Sequence, residues 1–279
     1  MDNANSLLLN RFFTRNTFKQ VIEDGESPAY AAAIRRYIVN YSEKTNEECI
    51  SEIYQYLKKE YQNEYYYKNT LLNKLLLGVH SPRTTTALTE VPVGNSKADF
   101  ILINGKAVVY EIKTALDNFD RLDGQLEDYY KAFSRVIVVT SEKNYNDISQ
   151  RLKNSPAGIC LLTKKGTLSL RREPIKYCDS LSQSIMFKIL RKNEYEHILV
   201  KLFNSLPDVS QFEHYRACQK LFESLPLDIA YQSFIQALKL RTKVDIIEYA
   251  KIPYELKFLA YFSNYKKSDY INLNRFLKT

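Results

Sequence analysis

Residues 98–114 read ADFILINGKAVVYEIKT, two apolar runs about Asn104-Gly105, with Asp99 near one end and Glu111 and Lys113 near the other. Both runs are rich in Val, Ile, Phe and Tyr and too short for helices, and Asn-Gly between them is a strong hairpin signal. Two antiparallel strands therefore carry two carboxylates and an amine where the hydrophobic pattern is strongest. Side chains alternate along the second strand, so Val109, Glu111 and Lys113 share one face and Val108, Tyr110 and Ile112 the other.

Which face Asp99 takes depends on the turn. A two-residue Asn104-Gly105 loop pairs Ile103 with Lys106 and sets Asp99 opposite Tyr110, away from Glu111. A three-residue loop, Ile103-Asn104-Gly105 with Gly105 left-handed, pairs Leu102 with Lys106 and sets Asp99 opposite Val109, diagonal to Glu111. We expect the second register, because it brings the three polar groups together. Asp99, Glu111 and the backbone carbonyl of Ile112 then form an oxygen donor set suited to Mg²⁺ or Mn²⁺. Lys113 stands where it can orient a metal-bound water or stabilise charge on a phosphate, the chemistry of metal-assisted phosphodiester hydrolysis. The alternative is a salt-bridged cluster on a solvated sheet face.

Outward from the hairpin, the apolar period separates three regions. From about Ser6 to Gly78 apolar residues recur every three or four positions, as in AYAAAIRRYIVNY and ECISEIYQYLKKEYQNEYYYKNTLLNKLLLG, which predicts helices. After HSPR the period becomes two: TALTEVPV, ADFILI and AVVYEIK are three successive, mainly antiparallel strands. An amphipathic helix follows over ALDNFDRLDGQLEDYYKAFS, with Leu116 and Phe119 on its apolar face and Asp117 as its cap. RVIVVTS reads as a buried strand, NYNDISQRLKNS as a helix, and GICLLTKKGTLSLRREP as a hairpin turning at Lys165-Gly166. Beyond about Ser182 only helical spacing remains, broken at Pro207, Pro226 and Pro253. The expected organisation is N-terminal helices over 1–44, an α/β core over 45–178 with a mixed sheet flanked by helices, and an all-helical C-terminal domain over 179–279.

Asp99, eleven intervening residues, then Glu111-Ile112-Lys113 on a second strand followed by a helix resembles the PD-(D/E)XK nuclease superfamily. Ala98 stands where the name of the superfamily has proline. Gln125 and Tyr129, at i and i+4 on one helix face, resemble the QxxxY motif of RecB-like nucleases. Over about residues 61–141 the chain is similar to small bacterial and phage-encoded PD-(D/E)XK-like proteins of unassigned role. The resemblance implies a restriction-endonuclease-like core and a metal-dependent nuclease acting on DNA, in phage defence or mobile-element biology. It implies metal ligands at Asp99, Glu111 and the Ile112 carbonyl, a water-positioning Lys113, and Gln125 and Tyr129 in support. It also implies a carboxylate from a helix before the sheet, for which Glu64 is the first candidate and Glu60 the second; Glu90 on the first strand is a further acidic candidate. The competing expectation is a catalytically silent nucleic-acid- or protein-binding module on the same fold, its C-terminal helices docking a protein partner.

A net charge of +8 and a pI near 9.1 favour polyanionic partners. Arg121 at the start of the helix, and Lys164, Lys165, Arg171 and Arg172 on the later hairpin, are candidate phosphate contacts; lysines on an edge hairpin also guard against aggregation. The Tyr-Lys interleaving of YQYLKKEYQNEYYYKN could stack bases, but tyrosines packing a helix onto the sheet is the better reading. His80, before the first strand, reads as an ordinary loop residue with substrate contact as its alternative. Cys49, Cys160, Cys178 and Cys218 lie far apart with no CxxC spacing and no pairing with the three histidines, which argues against zinc and suits a reducing cytoplasm. No run of 18 apolar residues occurs and MDNANSLLLNRFFTRN lacks a cleavage site, so neither membrane insertion nor export is expected. No Ser-His-Asp, P-loop or dinucleotide motif competes.

Overall fold

Helices give way to a sheet where the apolar period changes at HSPR. The computed structural model describes residues 3–79, 81–241 and 244–279; His80 lies outside them. In chain order come helices α1 (Asn3–Phe12), α2 (Arg15–Asp24), α3 (Pro28–Tyr37), α4 (Asn46–Glu60) and α5 (Glu64–Leu71), the last running on as a π-helical stretch at Leu72–Leu77. Strands β1 (Thr86–Val93), β2 (Ser96–Asn104) and β3 (Lys106–Lys113) follow, then α6 (Leu122–Tyr130), β4 (Val136–Ser141), α7 (Tyr145–Arg151), β5 (Gly158–Leu162) and β6 (Leu168–Arg172). The chain continues through α8 (Gln183–Ile189), α9 (Lys192–Phe203), α10 (Gln211–Glu223), α11 (Leu227–Lys239), α12 (Ile246–Ala250), α13 (Lys257–Phe262) and α14 (Lys267–Lys278). The fold is α/β, with a six-stranded mixed sheet flanked by helices and a helical region after it.

Two compact units divide the chain, and their limits differ from the boundaries expected at 44/45 and 178/179. The first comprises Met1–Pro82, Leu162–Leu168 and Lys243–Thr279; the second comprises Arg83–Leu161 and Ser169–Thr242. The C-terminal helices are thus shared out rather than forming one domain. The reason lies in which core each apolar face fills. Phe187, Leu199, Phe222 and Phe234 of α8–α11 are buried in one cluster with Val91, Ile101 and Val109 of the sheet. Those beyond Lys243 close on the N-terminal helices instead: buried Asn69 donates to the Tyr254 carbonyl (3.0 Å) and accepts from the Phe258 N–H (3.0 Å).

The tyrosine-rich run serves this first unit. Tyr54, Tyr66 and Tyr67 are buried, and the Tyr65 ring stacks on Phe13 with centroids 4.5 Å apart. These rings form an aromatic core among helices, where the sequence suggested packing on the sheet. Long apolar rings with a polar tip suit such a core, because the hydroxyl can find a partner at its edge. Tyr54 does so, accepting from the Asn69 amide at 2.9 Å.

The sheet has strand order β1-β2-β3-β4-β5-β6. β1, β2 and β3 run antiparallel in sequence, and β4 joins β3 in parallel after the α6 crossover. The β2–β3 register pairs Ile103 with Ala107 and Asn104 with Lys106, so the chain reverses at Gly105, whose φ of +68° is left-handed as expected. The turn is therefore tighter than either loop considered from sequence. Relative to the register we expected, the strands slip by two residues, which preserves the face of every side chain. One further step of the observed register sets Asp99 directly opposite Glu111 rather than diagonal to it.

Helix α6 covers the face of β3 that holds Val109, Glu111 and Lys113, and Leu122, Leu126 and Tyr129 pack there with Val109 and Val138. The helix starts at Leu122, later than its apolar spacing suggested. Asp117 is not its cap: the carboxylate accepts from the Thr114 N–H (2.7 Å) and hydroxyl (2.8 Å), which closes a turn after β3. Leu116, expected on the buried face, is exposed in that turn, while Phe119 packs against the core. Among the described residues no helix is long and apolar enough to cross a membrane.

Candidate active site

Strands β2 and β3 place Asp99 and Glu111 side by side, but the two carboxylates have different partners. Asp99 accepts the Ile112 N–H through Oδ2 at 2.8 Å. Glu111 is 1% exposed; its Oε1 lies 2.9 Å from the Lys113 ammonium and its Oε2 2.6 Å from the Tyr129 hydroxyl. Lys113 also donates to Gln125 Oε1 at 2.7 Å. The structure thus brings Asp99, Glu111, Lys113, Gln125 and Tyr129 into one cluster drawn from β2, β3 and α6. Because α6 lies over it, the Glu111–Lys113 pair is a buried one, not the solvated sheet-face cluster.

The i and i+4 positions of α6 divide the work, Gln125 holding the amine and Tyr129 the carboxylate. The single phenolic proton faces Glu111 Oε2 and the Lys97 carbonyl (2.8 Å), and the charged acceptor with the shorter contact is the stronger. Burial first, and then the Glu111 charge, push the Tyr129 phenol well above its ordinary value of 10, so it remains a donor across the whole stable range of pH. Replacing Tyr129 with Phe leaves a buried carboxylate short of one donor. The expected loss is about 1.5–3 kcal/mol in urea unfolding; an unchanged midpoint would refute the assignment.

The cluster is braced by residues that the motif did not indicate. Thr140 on β4 donates to the Lys113 carbonyl at 2.8 Å, and the Asn144 amide donates to the Thr114 carbonyl at 2.9 Å. Asp128, one residue before Tyr129, points the other way, accepting from Asn95 N–H (3.0 Å), the Ser96 hydroxyl (2.8 Å) and the Lys131 ammonium (2.8 Å). It pins the β1–β2 turn to α6 and so aligns β2 with the helix that carries Gln125 and Tyr129. The TxxD spacing of Thr114 and Asp117 is the one local signal from which part of this bracing could have been read.

Glu90, the further acidic candidate, has an unusual backbone conformation. It sits within β1 at φ +55°, a left-handed conformation that is uncommon for a non-glycine residue, and pairs with Lys97 at 3.4 Å. A carboxylate oxygen of Glu90 lies within 4.8 Å of one of Asp99; among the described residues, Glu111 is not within that distance of both. Two ligands on opposite sides of one Mg²⁺ stand about 4.2 Å apart, so Asp99 and Glu90 approach ligand spacing, and each hydrogen-bonded Glu111 oxygen keeps a second lone pair. The oxygen donor chemistry therefore fits a hard divalent cation. Glu64 begins α5 in the first unit and pairs with Lys68 at 2.5 Å; Glu60 ends α4 and is exposed.

The basic candidates separate by environment. Arg121 is exposed just before α6, as is Arg171 on β6. Lys164 and Lys165 are exposed at the hairpin tip, which belongs to the first unit. Arg172 is engaged within the fold: its guanidinium donates to the carbonyls of Ala157 (2.9 and 2.5 Å) and Leu152 (2.8 Å), holding the start of β5 to the end of α7. Its alternation to the inner side of β6 explains why Arg171 faces solvent and Arg172 does not.

Sequence comparison bears on the whole of the second unit. The model of a family described as Bacteriophage P4 protein cII matches residues 57–251, more than half of the chain. The chain belongs to this cII family. Protein cII of Enterobacteria phage P4 is 29% identical to it over 119 residues, 41% of this chain and 44% of that protein. The match thus spans less than half the length of this relative. No solved structure matches. The family match encloses every residue of the β2–β3–α6 cluster together with α4 from Leu57, α5 and helices α8–α12.

Proposed function

We propose that this cII-family chain is a metal-dependent nuclease that hydrolyses phosphodiester bonds, with DNA as its substrate, on a restriction-endonuclease-like core. The observation that supports the reading is the meeting of Asp99, Glu111, Lys113, Gln125 and Tyr129 from three separate elements in one hydrogen-bonded cluster. Asp99 and Glu111, with the Ile112 carbonyl and with Glu90 beside Asp99, would hold Mg²⁺ or Mn²⁺. A divalent cation bound there supplies Lewis acidity toward a phosphate and lowers the pKa of water. Tyr129 orients Glu111 through its hydroxyl, and Gln125 fixes the Lys113 ammonium beside it, where it can stabilise negative charge on the reacting phosphate. The family's phage name supports a role in phage or mobile-element biology.

The test is incubation of the purified chain with linear, circular and single-stranded DNA and with RNA, in Mg²⁺, Mn²⁺ or EDTA. Metal-dependent cleavage is expected, with a loss of about 10²–10⁴-fold in Lys113→Ala and a comparable loss in Asp99→Asn, which retains the buried ion pair. Absence of cleavage by folded wild-type protein on every substrate would overturn the reading. One observation favours the second reading, a silent nucleic-acid- or protein-binding module: Glu111 and Lys113 are buried and satisfied by each other. That reading expects binding indifferent to EDTA and to Lys113→Ala.

A further inference from the structure

The β2–β3 turn, at the far end of β3 from Lys113, opens onto a cleft of about 440 Å³ lined by Lys106, Arg135 and Lys176 together with Tyr231, Gln232 and Gln236 of α11. Among the described residues no acidic side chain lines it. None of the three cations forms an ion pair among the described residues, and Lys106 and Lys176 are exposed. Three positive charges around one recess, none of them neutralised, repel each other and gain from an anion among them.

The recess is pre-formed. Ser134 donates its N–H to the Tyr231 hydroxyl at 3.3 Å and lies within 3.0 Å of it through its own hydroxyl, tying α11 to the start of β4 beside Arg135. The Ser134 carbonyl accepts the Tyr177 N–H at 2.9 Å, which holds the segment bearing Lys176. The Arg135 carbonyl accepts the Val109 N–H at 3.0 Å, fixing Arg135 against β3. Cations held on a rigid frame lose little entropy on binding, and the Arg135 fork suits a phosphate's paired oxygens.

We propose that this cleft is a phosphate-backbone site for nucleic acid, separate from the Asp99–Glu111–Lys113 cluster. The inference deepens the nuclease reading by naming where the chain grips its substrate, and it rests on that reading for the choice of nucleic acid as the polyanion. Lys106 and Lys113 lie seven positions apart along β3, about 23 Å at strand rise. That is the span of about seven phosphates along one strand of a duplex. The glutamines and the tyrosine supply neutral donors of the kind that position a sugar-phosphate backbone without reading sequence.

Binding of a fluorescein-labelled duplex to the full chain is measured by anisotropy in EDTA, so that cleavage, present or absent, does not enter. The variant is Lys106→Gln/Arg135→Gln/Lys176→Gln. Its charge-matched control is Lys143→Gln/Lys153→Gln/Lys188→Gln, three exposed lysines elsewhere on the second unit. The cleft variant is expected to bind at least tenfold more weakly near 100 mM salt, with the slope of log K against log[salt] shallower by about 2.7 for three lost phosphate contacts. The control is expected to keep the wild-type slope. Equal losses in both variants, or an unchanged slope in the cleft variant, would overturn the proposal. So would sensitivity to the cleft charges seen only with phosphatidylserine vesicles. A wild-type chain that binds through the cleft but never cleaves would sink the nuclease reading alone.

Discussion

Glu111→Gln is expected to unfold at a temperature on the order of 10 °C below wild type, the equivalent of a loss of about 3–5 kcal/mol. The substitution keeps the shape of the side chain and an oxygen that can accept a hydrogen bond, but it removes the charge that compensates the Lys113 ammonium. That ammonium is buried with a side-chain exposure of 9%, and its further partner among the described residues is the neutral Gln125 oxygen. An uncompensated charge in such a place is more costly than the ion pair was favourable. Lys113→Met strands the carboxylate in the same way, softened by the Tyr129 donor. The double variant Glu111→Gln/Lys113→Met removes both charges and should recover most of the loss, giving a coupling of at least 2 kcal/mol in a double-mutant cycle. Calorimetry of the four proteins decides the matter: additive losses would mean that the pair is open to solvent.

Gly94→Ala is expected to cost about 3 kcal/mol or more. Gly94 turns between β1 and β2 at φ +61°, and a Cβ there would stand 2.6 Å from Asp128 Oδ1. The left-handed backbone alone disfavours alanine by about 1–2 kcal/mol. Displacing the Asp128 carboxylate then loosens its charge-assisted bonds to Lys131, Ser96 and Asn95. In an Asp128→Ala background the clash is gone, and the same glycine substitution should cost only the backbone part. Equal costs in both backgrounds would mean the contact is relieved without moving Asp128.

Asp128 also sets a pH dependence. Burial raises its pKa, but the Lys131, Ser96 and Asn95 donors outweigh burial and hold it below the ordinary 3.8. A carboxyl depressed on folding contributes stability that is complete above the unfolded value and is lost as pH falls through the folded one. Wild-type stability should therefore decline below about pH 4 more steeply than that of Asp128→Asn. Denaturant midpoints between pH 2.5 and 6 make the comparison, and parallel curves would remove Asp128 from this role.

Much of the sheet was legible because its signals are local. The change from a helical to an alternating period, Asn-Gly at the turn and the apolar run of β4 each depend on neighbours in sequence. The pairing of Gln125 with Tyr129 was legible for the same reason, four residues being one helical turn. The exact register was not, since the turn reverses about Gly105 alone, and only the parity that governs the faces of Asp99 and Glu111 was constrained. Asp117 was misread because an Asp before an apolar run can cap a helix or close a turn, and Thr114 decides between them. The burial of Glu111 and Lys113 depends on α6 lying over β3, and no local pattern states which helix covers a strand. Apolar spacing likewise tells that α8–α14 each hide one face, not which core receives it; hence the expected boundary at 178/179. Arg172 looked like a free cation because a run of basic residues does not reveal which of them turns inward to backbone carbonyls.

The division of the last helices has a consequence for synthesis. Buried Asn69 bonds to Tyr254 and Phe258 as well as to nearer neighbours, and Asn46 donates to the Phe276 carbonyl at 3.0 Å. A ribosome delivers α1–α5 before the sheet unit, yet their partners emerge only after the entire sheet unit has been made. The sheet, whose pieces lie within residues 83–242 apart from the tip of one hairpin, can close while the chain is still tethered. Helices α1–α5 thus leave the exit tunnel well before their core can be completed, and until then their tyrosine-rich faces need other cover.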